Sequence, residues 1–219
     1  MKIKSIQAGL PKVYVELMGD GSQEKKRRTA IFKEPVAGRV RATALGLDGD
    51  GQADRRFHGG EDKAINAYCF VHYARWAREF GEAALPPGAF GENFTLDDTN
   101  EESVCIGDVF DAGSARIQIS QPRQPCGTLA WRWKRVDLPH LINAHGSSGW
   151  YFRVLKEGEF EAGAELKLIE RLFPRWTVTA ANDVMVHHKG GASAARELAE
   201  LPPLSESWKE ALLRRVKET

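Results

Sequence analysis

Cys126 stands in QPRQPCGTLAWRW, and its neighbours give the thiol unusual company. Pro125 fixes the backbone before it, Gly127 lets the chain turn without a Cβ clash, and GTLAWRW begins a helix. A thiol at a helix start meets unpaired N–H groups and the positive end of the dipole. With Arg123 nearby to add charge, it is expected to be rich in thiolate. Thiolate is the form that attacks electrophiles and binds soft metals. The plainer alternative is a buried cysteine in a tight turn.

A second stretch, DGDGQADRRFHGGEDK over residues 48–63, supplies donors. Its alternating aspartates do not make an EF-hand: counted from Asp48, positions six and twelve are Ala53 and Gly59 where glycine and glutamate are needed. Gly59 and Gly60 permit close backbone approach to a ligand, and Asp62 is expected to cap the helix that starts there. Exposed amides at that helix start, with Lys63 in its first turn and Arg55, Arg56 and His58 before it, suit a phosphate or another oxyanion. Asp48 and Asp50 are expected to shape the loop. Solvated arginines are the competing reading.

Asn93, in FGENFTL, and Trp150, Tyr151 and Arg153, in GWYFRV, sit at loop-to-strand junctions, where ligand contacts are common. Alternation puts Tyr151 and Arg153 on one strand face and Trp150 and Phe152 on the other. His140 and His145 lack a partner at fixed spacing. His187, His188 and Asp183 do not form HExxH, and the P-loop, GxGxxG, CxxC and GxSxG are absent.

The elements that must position these residues follow from pattern. KIKSIQAGL, KVYVEL, TAIFK and GRVRATALGL read as a β meander with turns at MGDGS and KEPVAG, and EKKRR (24–28) as a solvated hairpin tip. Asp62 to Phe80 carries Ile65, Tyr68, Cys69, His72, Trp76 and Phe80 at three-and-four spacing, which predicts a helix stopped by Gly81. On it Cys69 and His72 read as core residues. SVCIGDVFDA, with Cys105 as a strand residue, and ARIQISQPRQPC predict two strands, and HGSSGWYFRVLKEGEFEAGAELKLIER, from His145, returns to β. Beyond LFPRW the β pattern stops. Three helices are expected, Thr177–His187, Ser193–Leu201 and Ser205–Lys217, each capped by its first residue. These divide the chain into domains at 1–171 and 172–219, the second too small to stand alone and expected to dock on the first or on a partner subunit.

The 219 residues carry 31 Lys and Arg against 30 Asp and Glu, so any anion site must be local and no global field recruits nucleic acid or an anionic membrane. Three scattered cysteines suit a reducing compartment, and no apolar run predicts a signal peptide or a membrane span; a cytoplasmic protein is expected.

Taken in order, DRRFHGGEDKA, PGAFGENFT, the IGDVF strand and PRQPCGTL resemble the MOSC domain, and the tail from Thr177 resembles the three-helix extension of its bacterial YiiM-like branch, linked to resistance to hydroxylaminopurine. The resemblance implies an α+β fold, mainly β: a mixed β-barrel related to the pyruvate-kinase barrel domain, followed by a small three-helix domain. It implies a bound molybdenum cofactor (molybdopterin) rather than pyridoxal phosphate, and reduction of small N-hydroxylated bases with electrons from a separate flavoprotein. It leaves room for a homodimer. By position Cys126 matches the family cysteine that ligates molybdenum. Arg55, Arg56, His58 and Lys63 fall in its basic segment, Glu92 and Asn93 in its GEN segment, and Arg123 and Arg153 complete the expected cofactor contacts. His58 or His145 is the expected proton donor. Two other readings remain open: a sulfur carrier using a Cys126 persulfide, and a cofactor-binding module without turnover.

Overall fold

In ARIQISQP the residues Ala115, Ile117 and Ile119 are buried while Arg116 is exposed, the period of two that makes a strand with one face in a core. The computed structural model describes residues 1–18 and 23–218. Its N-terminal elements are β1 (Lys2–Ala8), β2 (Lys12–Met18), β3 (Gln23–Thr29), β4 (Glu34–Pro35), β5 (Arg39–Thr43) and β6 (Gly46–Leu47). Then come α1 (Arg55–His58), β7 (Ile65–Cys69), α2 (Tyr73–Phe80), β8 (Phe94–Asp97), β9 (Val109–Ala112), β10 (Ala115–Pro122), α3 (Gly127–Trp133) and α4 (Leu138–His145). The chain continues through β11 (Trp150–Lys156), β12 (Gly158–Glu161) and β13 (Leu166–Glu170) into α5 (Val178–His187), α6 (Gly191–Ala199) and α7 (Glu206–Glu218).

Eight strands form one sheet in the order β13-β9-β10-β11-β7-β8-β1-β4, curled as a half-barrel, with β7 and β8 parallel. A three-stranded sheet, β12-β5-β6, and the hairpin β2-β3 complete the β structure. Close packing at the start of β11 requires Gly149: with φ at 69°, it carries the chain so near β7 that a Cβ would lie 2.2 Å from the Ala67 carbonyl oxygen.

The expected helix over Asp62–Phe80 is an α-helix only from Tyr73, with single 3-10 turns at Glu61–Lys63 and Phe70–His72. Ile65–Cys69 is instead β7, paired on both edges, and Ile65, Ala67, Tyr68 and Cys69 are all buried. A strand covered on both faces reads as a near-continuous apolar run, which over five residues satisfies helical spacing as well. Gly81 does end α2, in the left-handed conformation. EKKRR lies in the body of β3 rather than at a hairpin tip, and the MGDGS turn falls, apart from Met18, outside the described residues. Only Val109–Ala112 of SVCIGDVFDA is strand: Asp108 accepts the Cys105 N–H (2.8 Å) and turns the chain, leaving Cys105 a single bridge to Thr177. Helix α4 was not expected; Pro139 in its first turn and Gly146 after it are its signals. Thr177 caps α5 as expected, whereas α6 begins at Gly191 with Ser193 inside it.

The three C-terminal helices dock on the sheet and share its core. Trp176, Val178, Ala181, Leu198, Trp208 and Leu212 belong to the same buried cluster as Ile106, Ile117 and Trp150. Backbone bonds from Val178 N–H to Val104 (2.9 Å) and from Ser205 N–H to Ser120 (3.0 Å) stitch the seam. A second cluster, built on Trp76, Phe90, Leu129 and Ile142, lies under α2, α3 and α4.

Candidate functional site

Strand β10 ends at Pro122, and a short loop carries the chain into α3 with Cys126 as the N-cap residue in extended conformation. The half-buried Cys126 sulfur has the His58 imidazole, at the end of α1, and the Leu129 N–H beside it, the latter bonded to the Cys126 carbonyl (3.0 Å). Burial alone pushes the thiol up, but those two donors and the Arg123 charge outweigh it and hold Cys126 at about 6. It is a thiolate at neutral pH. The other two cysteines differ: burial, with Glu101 beside Cys69 and Asp108 beside Cys105, pushes both thiols up.

Cys126 borders a cavity of about 250 Å³. Four cationic side chains, Arg28, Lys33, Lys63 and Arg123, line it. Arg123 is held almost fully buried by its bond to the Phe90 carbonyl (2.7 Å), and its backbone N–H is taken by Gly149 (3.0 Å). Lys63 reaches the Phe57 carbonyl (2.9 Å), and burial draws its ammonium below the ordinary value. Lys33, lowered likewise by burial, is offset by its buried ion pair with Asp50. Asp50 also accepts the Gly9 N–H (2.9 Å), which fixes the loop after β6.

The cavity wall also holds acceptors. Asp50 Oδ2 and Asn66 Oδ1 are buried, have no hydrogen-bond partner among the described residues, and belong to cavity-lining side chains. Leaving such oxygens unpaired costs about 1–3 kcal/mol each, so a donor-bearing ligand there recovers that energy. Asn93 lines the wall too, but its amide is engaged, accepting from Asn66 N–H (3.0 Å) and donating to the Gln7 carbonyl (3.1 Å). Tyr151 faces the cavity while Trp150 and Phe152 enter the core, as alternation requires.

The structure brings Cys126, His58, Lys63, Asn93 and Arg123 together and leaves five other expected residues outside this wall. Arg55 and Arg56 sit on the exposed four-residue α1, where Arg56 pairs with the capping residue Asp54 (2.8 Å). Arg153 pairs with Asp62 (2.6 Å), and Asp62 caps no helix of its own but accepts the Glu206 N–H at the start of α7 (3.3 Å). Glu92, fully buried, spends its carboxylate on Gly88 N–H (2.8 Å), Phe90 N–H (3.0 Å), Thr95 (2.9 Å) and Tyr73, shaping the loop before β8. His145 packs against Trp76, with ring centroids 5.8 Å apart, and lies away from the thiol.

Sequence reasoning missed Arg28, Lys33, Asp50 and Asn66 as wall residues. Arg28 arrives because the β2-β3 hairpin is pinned to α3: Trp131 donates to Glu16 (2.8 Å), and Arg27 lies over the Trp131 ring. Lys33 arrives because Arg132 holds the Ile31 carbonyl (2.7 Å). The two tryptophans and the arginine of GTLAWRW were the available signal.

A second polar cluster, Cys69, His72 and Glu101, brings candidate ligand atoms within 4.8 Å of one another. His72 meets Glu101 at 2.7 Å, and the other carboxylate oxygen accepts the Gly149 N–H (2.8 Å). The pair latches the start of β11 onto β7, which agrees with a core role for both Cys69 and His72.

Residues 54–167 match the MOSC domain family, and residues 176–218 match the YiiM-like, 3-alpha helix domain. The fold is that of YiiM from Geobacillus stearothermophilus, with a TM-score of 0.81 and 39% identity across 98% of each chain. Protein YiiM of Escherichia coli (strain K12) is 38% identical over 85% of this chain and 84% of its own length. A protein named reductase from Gibberella moniliformis is 34% identical over 80% of this chain, which spans 31% of that longer protein. No described helix is long and apolar enough to cross a membrane. The chain belongs to the MOSC family, in the branch that carries the YiiM-like three-helix domain.

Proposed function

We propose that the cationic cavity holds a molybdenum cofactor with Cys126 as the protein ligand to the metal, and that the protein reduces small N-hydroxylated compounds in the cytoplasm. The observation that carries this reading is the thiolate at the cavity mouth: Cys126 is held at about 6 by His58 and Arg123 and opens onto a wall of four cations. A molybdopterin carries a phosphate, a heterocycle with N–H donors, and sulfurs around a metal. The wall offers Arg28, Lys33, Lys63 and Arg123 to the phosphate, the unpaired Asp50 and Asn66 oxygens to the N–H donors, and a soft sulfur to the metal. The residues fit the group.

When bound, the cofactor supplies two-electron redox chemistry that side chains lack. The overall reaction takes R–NHOH, two electrons and two protons to R–NH2 and water, breaking the N–O bond. Electrons come from a separate flavoprotein. Within this chain, Cys126 would hold the metal, the cations would hold the anionic end of the cofactor, and His58, beside the sulfur, would pass a proton from a ring nitrogen to the departing oxygen. The relative named reductase supports the reaction class.

Protein from a molybdenum-replete host should contain molybdenum and pterin in stoichiometric amount and should reduce 6-N-hydroxylaminopurine with an artificial electron donor. A sulfur adduct on Cys126 without metal would favour the persulfide carrier, whose need for a reactive thiolate the same sulfur meets. Tight cofactor with no turnover would favour the storage module.

A further inference from the structure

A second cavity, of about 330 Å³, is also lined by Cys126. Phe57, His58, Lys63, Gln124 and Cys126 border both cavities, so the two meet at the thiolate. The outer wall of the second comes from the C-terminal helices: Met185 of α5, and Ser207, Trp208 and Ala211 of α7. The two spaces differ in chemistry. The first is cationic. In the second, Lys63 and His58 are the basic side chains and no described carboxylate lines the wall; the rest is apolar, aromatic or neutral amide and hydroxyl.

That wall is built rather than incidental. Ser207 donates to the buried Gln121 Oε1 (3.3 Å), and the first turn of α7 is seated by Ser205 N–H on Ser120 (3.0 Å) and Glu206 N–H on Asp62 (3.3 Å). Asp62 is held in turn by Arg153. The sequence therefore spends an ion pair on aiming α7 at the thiolate.

We propose that this second cavity is the acceptor-substrate subsite and that the helical segment is its specificity wall, selecting flat, uncharged heteroaromatic rings. The inference rests on the reductase reading above. A ring of that kind packs against the Phe57, Met185 and Trp208 side chains and gives its polar edge to the Gln124 amide and the Ser207 hydroxyl oxygen, the Gln121 amide being already paired with Ser207 and the Pro122 carbonyl. An anionic substrate is drawn to the other cavity, and a cationic one finds no described carboxylate here. The reacting substituent then points at the sulfur and His58, where the two spaces join.

The test is Ala211→Phe, which fills the subsite from its outer wall, compared with wild-type holoprotein on two probes, 6-N-hydroxylaminopurine and unsubstituted hydroxylamine. The expected result is a loss of kcat/KM at least tenfold greater for the purine, carried mainly by KM, at wild-type molybdenum and pterin content. An equal loss on both probes, or none, overturns the proposal. Adenine binding, followed by calorimetry on the same two proteins, reads the subsite without turnover: wild type binds and Ala211→Phe binds at least tenfold more weakly. If wild type binds adenine but reduces neither probe, the reductase reading fails while the subsite stands; if wild type does not bind adenine, the subsite fails.

Discussion

His58 closes α1 and lies beside the sulfur of Cys126, which opens α3, so two helix ends far apart in the chain meet where both cavities are lined. Neither residue would be reactive by position alone. The sulfur is half-buried, and burial by itself would suppress its ionisation; the imidazole and Arg123 reverse that.

Alkylation of Cys126 should therefore rise through about pH 6 and level off above it, since the thiolate is populated above that value and lost below it. Iodoacetamide labelling followed by mass spectrometry gives the profile. His58→Ala should move the midpoint upward. Cys69 and Cys105, both pushed up, should stay unlabelled in native protein throughout this range.

Cys126→Ser should lose molybdenum while keeping its thermal transition within a few degrees of wild type, because the side chain is an N-cap residue with no core packing to forfeit. Cys69→Ala should retain the metal and lose about 1–2 kcal/mol of stability, as expected when a small buried side chain is trimmed. Denaturation curves beside elemental analysis separate the two.

Glu92→Ala should destabilise the fold by roughly 2–4 kcal/mol, since it strands the buried N–H groups of Gly88 and Phe90 together with Tyr73. The loop it organises supplies Phe90 and Gly91 to the cavity wall, so metal content should fall as well. Glu92→Gln, which can still accept, should recover part of the stability; urea denaturation reads both.

Asp62→Ala should free Arg153 and the first turn of α7 together. Hydrogen exchange should quicken at the start of α7 while the amides of β10 and β11 stay protected. Purine turnover should suffer more than hydroxylamine turnover, because only the second cavity depends on that turn.

The turn that carries Cys126 was legible from sequence because a proline, a glycine and a helix start lie within three residues of it, but the His58 imidazole that does most to lower the thiol comes from far away in the chain. Lys63, His58, Asn93 and Arg123 followed from motif. Which of the neighbouring arginines would turn inward was not legible. Arg55 and Arg56 stand on a single exposed turn, and Arg153 is diverted by a carboxylate far away in sequence. Arg28 and Lys33 enter the wall through tertiary anchors, Trp131 and Arg132, that no spacing rule foretells. The same holds for β7. Its helical spacing was a by-product of burial on both faces, and only its pairing with β11 and β8 distinguishes the two readings.

Trp208 is counted twice in this molecule: it packs with Leu212 and Leu198 in the interior, and it borders the second chamber. Selectivity and folding thus draw on one indole, and evolution cannot retune the first without repairing the second. Changes in substrate range among such chains should accordingly gather at Met185, Ser207 and Ala211, around a tryptophan that stays put.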